Sequence, residues 1–192
     1  MFRTGLVQPT ESWPETLKDY PDGDINMIRR LWLAAGLIRG SSVLDIGGGK
    51  GKMADILATS YTDIRYVNAD PWTGYDVRRG LPFRAGEFET VLMLDVLDHL
   101  EDPWAAIAEA WRITRFRLIC IVTLPGWPDW EGAHVWGINE QDLRELCFGN
   151  AAVEGLSPPP HSYSSFTLLH WQHCGWADKD APWAEIVPGG GR

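Results

Sequence analysis

Asp45 stands just ahead of a run holding four glycines, Gly47, Gly48, Gly49 and Gly51. Without a Cβ, such a backbone turns sharply and approaches a ligand closely. Asp70 lies 25 residues beyond Asp45, at the end of a second apolar stretch. An acid so placed accepts hydrogen bonds from both hydroxyls of a ribose. Glycine turn and acid together describe a site for a nucleoside-bearing ligand. A phosphate-binding loop fits poorly, because Lys50-Gly51-Lys52 lacks its first glycine in register and Met53 replaces the hydroxyl. A dinucleotide loop fits less well than the spacing it needs, since Gly47, Gly49 and Gly51 run two and two. A nicotinamide-dependent reductase therefore stays open as a third-ranked reading. Taken alone, Asp45 reads equally well as a cap before the turn.

The surrounding periodicity alternates between helix and strand. Ile28, Leu31, Trp32 and Ala35 predict an amphipathic helix over 24–35, ended by Gly36. Val43, Leu44 and Ile46 predict a buried strand running into the glycines, and Met53, Ile56 and Leu57 share one face of the following helix. Strands are expected at 64–69, 90–94 and 118–123. Between the last two, Asp102 and Pro103 read as N-cap and first residue of a helix with Trp104, Ile107, Ala108 and Trp111 as its apolar stripe. Asn139, Asp142, an Ile138–Leu143 staple and Gly149 predict another helix. Segments 152–156 and 166–171 predict a closing antiparallel hairpin around the turn-rich 157–165. The fold class is α/β, a mostly parallel sheet with helices on both faces and its ligand crevice at the strands' carboxyl ends.

The stretch Val43-Leu44-Asp45-Ile46-Gly47-Gly48-Gly49-Lys50-Gly51 resembles the first motif of class I S-adenosylmethionine-dependent methyltransferases. Asp70, and the segment from Gly80-Leu81-Pro82-Phe83 through Leu94-Asp95-Val96-Leu97 to Asp102-Pro103, follow in that family's order. The resemblance spans roughly residues 28–173 and implies a Rossmann-like fold with S-adenosyl-L-methionine as cofactor. It implies that Asp45, Gly47, Gly49 and Gly51 shape the cofactor loop, with Asp45 reaching toward the methionine end. It places Asp70 at the ribose and Asp95 near the methionine amine and the transferred methyl. Trp72 is expected against the adenine face, with packing on a neighbouring helix as its other reading. Lys50 is expected in solvent. One departure is a short link, residues 71–80, where typical members have a helix and a third strand; Asp76 or the backbone of 81–83 would then have to meet the adenine. The shortening also resembles the methionine-biosynthesis methyltransferase-like proteins that partner an acyltransferase.

Methyl transfer from a sulfonium is an in-line displacement, so alignment and exclusion of water are the protein's main contributions. A general base helps a hydroxyl or a protonated amine. His134 is the first choice, in a segment 125–137 that also carries Trp127, Trp130 and Trp136; a solvent-exposed or capping histidine is its other reading. His99 reads as structural. His161, Tyr163, Trp13 and Tyr20 lie in segments that could cover the pocket.

The chain has 192 residues, 45% of them hydrophobic, and a formal charge of −9. One domain is expected, with 1–23 as a loose arm or lid and 177–192 as a loose tail. The acidic balance, and a Leu94-Asp95-Val96-Leu97 segment without a Pro-Pro-aromatic motif, disfavour nucleic acid and favour a small-molecule acceptor. Arg112, Arg115 and Arg117 read as charges at a helix end. Cys120, Cys147 and Cys174 suggest neither disulfides nor a metal site. No membrane segment is expected, and a cytoplasmic location follows by default. The second reading is a catalytically silent methyltransferase-fold protein that binds S-adenosylmethionine or nothing and regulates another enzyme; separately, a protein partner or a homo-oligomer is expected as an option for assembly.

Overall fold

The computed structural model describes residues 25–123, 135–138, 142, 152–156 and 172–179. In chain order these give α1 (Ile25–Gly36), β1 (Ser42–Ile46), α2 (Lys52–Ser60), β2 (Arg65–Ala69), β3 (Phe88–Leu94), α3 (Pro103–Ile113), β4 (Thr114–Thr123), β5 (Ala152–Leu156) and β6 (Gln172–Asp178). The strands form one sheet in the order β2-β1-β3-β4-β6-β5. The first four are parallel, β6 is antiparallel to β4, and β5 is antiparallel to β6.

Successive side chains of a strand point to opposite faces, so a strand covered on both sides must be apolar throughout. Val43, Leu92 and Ile119 pack with Leu31, Ala34 and Ala35 of α1 and Met53, Ile56 and Leu57 of α2. Their neighbours Leu44, Met93 and Cys120 face the other way, against Ile107, Ala110 and Ile113 of α3. Two helix stripes differ from the sequence expectation. On α1, Trp32 is exposed while Ala34 is buried, and on α3, Trp104 is exposed while Ala106, Ile107 and Ala110 are buried. Alanine lets each helix approach the sheet closely, and the bulky indoles turn outward.

Residues 71–80 hold no strand or α-helix. The chain there makes two short 3-10 turns, Pro71–Thr73 and Val77–Arg79, and β2 is left at the sheet's edge. Aromatic packing stands in for the missing helix: Phe83 lies 5.4 Å from Tyr75 and meets Phe88 edge-on at 5.1 Å, ring centre to ring centre.

The closing hairpin is present, but its second strand is Gln172–Asp178 rather than 166–171, which lies outside the described residues. The expected loose tail therefore starts too early. Ala177 is buried, and Asp178 makes a two-pronged ion pair with Arg117 at 2.6 and 2.7 Å. β4 also begins directly after α3, so Arg115 and Arg117 belong to a strand, and Arg112 alone occupies the helix's last turn. The helix expected at 139–149 lies outside the described residues except Asp142, which is helical. Among the described residues no helix is long and apolar enough to cross a membrane.

Candidate functional site

β1 ends at Ile46 and the chain enters the glycine turn, where Gly47, Gly49 and Gly51 all have positive φ. Two of the glycines are required for different reasons. A Cβ on Gly48 would stand 2.5 Å from Asp45 Oδ2 and 2.7 Å from Asn68 Oδ1, so a side chain there would collide with the groups beneath the loop. Gly49 has φ +52, and a Cβ there would meet nothing within 4 Å. Its outer side is open space at the carboxyl end of the sheet, where a ligand can lie against bare backbone.

The loop is held from β2. Asn68 donates its side-chain amide to the Gly49 carbonyl at 2.8 Å, and the Gly49 N–H donates to Asp70 Oδ2 at 2.9 Å. Asp70 also accepts from the Trp72 N–H at 2.9 Å, while its own N–H donates to the Thr73 hydroxyl at 3.0 Å. It therefore caps the first 3-10 turn and positions the glycine loop at once. Each carboxylate oxygen accepts more than one hydrogen bond, so these contacts leave acceptor capacity on Asp70. Trp72 follows at 85% exposure, on the lip beside it.

Asp45 is buried under the loop. Tyr66, two residues before Asn68 on the same face of β2, donates its hydroxyl to Asp45 Oδ2 at 2.7 Å. The other oxygen, Oδ1, has no hydrogen-bond partner. Burial, partly offset by the Tyr66 bond and reinforced by the charge of Asp70, pushes the Asp45 carboxyl up to about 7. The same burial, with Asp45 alongside, pushes the Tyr66 phenol up as well.

Asp95 follows β3 and has φ 63, the one non-glycine residue with positive φ among the described residues. Its N–H donates to the Ile121 carbonyl at 2.8 Å, and its carboxylate pairs with Arg30 of α1 at 2.6 Å. The chain then makes a 3-10 turn, Leu97–His99. His99 is exposed and Asp98 buried, with the Asp98 carbonyl accepting from the Val135 and Trp136 N–H groups at 2.7 and 3.2 Å. Trp136 donates its indole N–H to the Leu100 carbonyl at 2.7 Å and lies 6.3 Å from Trp104. Residues 135–138 are thereby brought beside the turn that follows Asp95.

Asp76 and most of the polar backbone of 81–83, the alternatives to Trp72 for an adenine, are engaged with neighbouring side chains. Asp76 accepts from the Arg78 N–H at 3.0 Å and from its guanidinium at 2.8 and 2.9 Å, and that cation holds its carboxyl below the usual range. The Leu81 N–H donates to Glu109 at 2.7 Å, and the Leu81 and Phe83 carbonyls accept from Arg112 at 3.3 and 2.8 Å. Lys50 is exposed, as expected. His134, Trp127, Trp130, His161, Tyr163, Trp13 and Tyr20 lie outside the described residues.

Asp45, Gly47, Gly49, Gly51, Asp70, Trp72 and Asp95 are thus gathered at the carboxyl ends of β1, β2 and β3. Sequence reasoning missed Asn68, Tyr66 and Arg30. Asn68 carried a weak signal as a lone amide between Val67 and Ala69 in β2; Arg30 lay on a helix read only for its apolar residues. Among the described residues no cluster of His, Cys, Asp or Glu could hold a metal ion. The open side of Gly49 beside Asp70 fits a nucleoside-bearing cofactor.

Residues 25–147 match the family model described as a methyltransferase domain. An uncharacterized methyltransferase of Mycobacterium sp. (strain JLS) is 30% identical over 203 residues, covering 88% of this chain and 79% of that protein. A SAM dependent methyltransferase from Archaeoglobus fulgidus has the same fold, with a TM-score of 0.63 at 11% identity over 85% of this chain and 98% of that one. So does the structure of a putative methyltransferase in complex with the Haloferax volcanii Trm112 methyltransferase activator, with a TM-score of 0.55 at 14% identity over 90% of this chain and 99% of that one.

Proposed function

The chain belongs to the methyltransferase-domain family, the class I S-adenosylmethionine-dependent methyltransferases, and from that premise we propose that it methylates a small-molecule acceptor. The observation that carries the site assignment is the clamp on Gly49, which holds its backbone beside Asp70 while leaving its outer face open. When bound, S-adenosylmethionine supplies an electrophilic methyl group on a sulfonium, already joined to a good leaving group. The chain's own residues bind and orient it. In this reading the turn from Gly47 to Gly51 receives the cofactor against bare backbone, and Asp70 accepts the ribose hydroxyls through its remaining lone pairs. Trp72 covers the adenine, replacing contacts that a third strand would have made. Asp95 faces the methionine end, and Asp45 supports the loop from below. His134 serves as general base where the acceptor carries a proton to be removed. The acidic chain, −9 overall, supports a small molecule over nucleic acid.

The test is calorimetric titration with S-adenosylhomocysteine, followed by a screen of small hydroxyl- and amine-bearing acceptors with labelled methyl donor. Micromolar binding and labelled product would support the reading; absence of binding would sink it.

A second reading is a member whose turnover depends on a protein partner, and the edge position of β2 among the described residues, beside the shortened 71–80 link, favours it. Cofactor binding without turnover, with activity restored by a copurifying protein in equal amount, would select this reading.

A further inference from the structure

The left-handed backbone of Asp95 is costly for a residue with a Cβ, and glycine would relieve it. Such strain persists where neighbouring groups fix the conformation. Contacts that do so here include the Ile121 carbonyl, which takes the Asp95 N–H, and Arg30, 65 residues earlier on α1, which takes the carboxylate at 2.6 Å. The Arg30 side chain is only 10% exposed and that of Asp95 27%, so the pair is partly shielded from solvent. The turn at Asp95 also has a direct effect on the glycine loop. It delivers Val96 against Gly47, so closely that a Cβ on Gly47 would fall 2.5 Å from Val96 Cγ2.

Resting on the cofactor reading above, we propose that Arg30 is a positioning residue for the cofactor's methionine end. It holds Asp95 in its left-handed turn, and through Val96 it sets the wall on which Gly47 and the start of the loop rest. Asp70, directly after β2, caps the turn that carries Trp72, so the nucleoside end is organised from β2. The two ends of the site are therefore separable.

The experiment compares two ligands, S-adenosylhomocysteine and methylthioadenosine, which shares the nucleoside but lacks the amino-acid end. Both are titrated into wild type, Arg30→Met, Asp95→Gly and the double variant. Arg30→Met should weaken S-adenosylhomocysteine binding about tenfold or more, with methylthioadenosine changed by less than about twofold. In the Asp95→Gly background, where the turn no longer needs holding, adding Arg30→Met should cost little further. Equal weakening of both ligands would reduce Arg30 to general support of the fold and overturn the inference. An undiminished Arg30→Met effect in the Asp95→Gly background would also overturn it, because Arg30 would then act without Asp95. If Arg30→Met does not fold, Arg30→Lys replaces it, with a smaller ligand-selective loss expected and an equal loss for both ligands again decisive against. Wild-type protein that binds neither ligand would instead overturn the cofactor reading, and this inference with it.

Discussion

Gly49 and Asp70 are joined by a 2.9 Å hydrogen bond from the loop amide to the carboxylate, so the acid that follows β2 also fixes the glycine turn after β1. One side chain thus has two tasks, and Asp70→Ala removes both. Its loss should weaken S-adenosylhomocysteine binding by about 1 to 3 kcal/mol and also lower the melting temperature. Asp70→Asn keeps an acceptor for one backbone N–H and should recover part of the stability but less of the affinity. Calorimetry beside thermal unfolding separates the effects; unchanged affinity in both variants would remove Asp70 from the ribose.

Gly49→Val tests the open face of the loop. The left-handed φ of +52 makes any side chain costly, by about 1 to 2 kcal/mol, and its Cβ would project into the space assigned to the cofactor. The variant should fold with reduced stability and lose measurable binding. Normal binding would mean that the ligand lies elsewhere.

Trp72, at 85% exposure, should matter only when the site is filled. Trp72→Ala is expected to leave stability within about 0.5 kcal/mol of wild type and to weaken S-adenosylhomocysteine binding by about 0.5 to 1.5 kcal/mol, with Trp72→Phe intermediate. Equal affinity for wild type and Trp72→Ala would refute the adenine contact.

Asp45 makes a prediction about pH. Its carboxyl is raised from 3.8 to about 7 in the folded chain, so between those values the folded state retains a proton that the unfolded state has released. Its contribution to stability is complete below about pH 4, declines as pH rises toward 7, and is flat above. The limiting slope is about 1.4 kcal/mol per pH unit. Asp45→Asn should remove this component, so the stability difference between variant and wild type should grow in the variant's favour from pH 4 to 7. Glu87, Glu89 and Glu109, whose carboxyls are lowered by neighbouring donors, act in the opposite sense in acid and cancel in that difference. A difference independent of pH would show that Asp45 is ionised throughout.

Much of this was legible from residue order. The glycine turn, Asp70 and Asp95 were readable because each sits where an apolar run stops, and strand ends are marked by that change. The shortened link was readable because ten residues, 71–80, cannot hold both a helix and a strand. What escaped was lateral contact. That Asn68 and Tyr66 reach Asp45 and Gly49 depends on the register of β1 against β2, and Arg30 meets Asp95 only through the docking of α1. The displaced apolar stripes at Trp32 and Trp104 show the same limit: Leu31, Ala35 and Ile107 are buried as expected, but periodicity alone does not say whether alanine or tryptophan shares their face. The hairpin was placed a few residues early because its strand, Gln172–Asp178, carries His173, Gly175 and Asp178 and lacks a continuous apolar signal.

The position of β6 bears on how the chain comes to be folded. It lies between β4 and β5, bonded to both, so the sheet's interior is completed by residues 172–178. During synthesis β4 emerges with one edge unpaired and stays so for some fifty residues, between Thr123 and Gln172. An exposed apolar edge of that kind is an aggregation hazard, and pairing it requires closure over a long stretch of sequence. Nascent chains halted before residue 172 should therefore be captured by chaperones or aggregate, whereas those extended past residue 179 and clear of the ribosome should become resistant to protease.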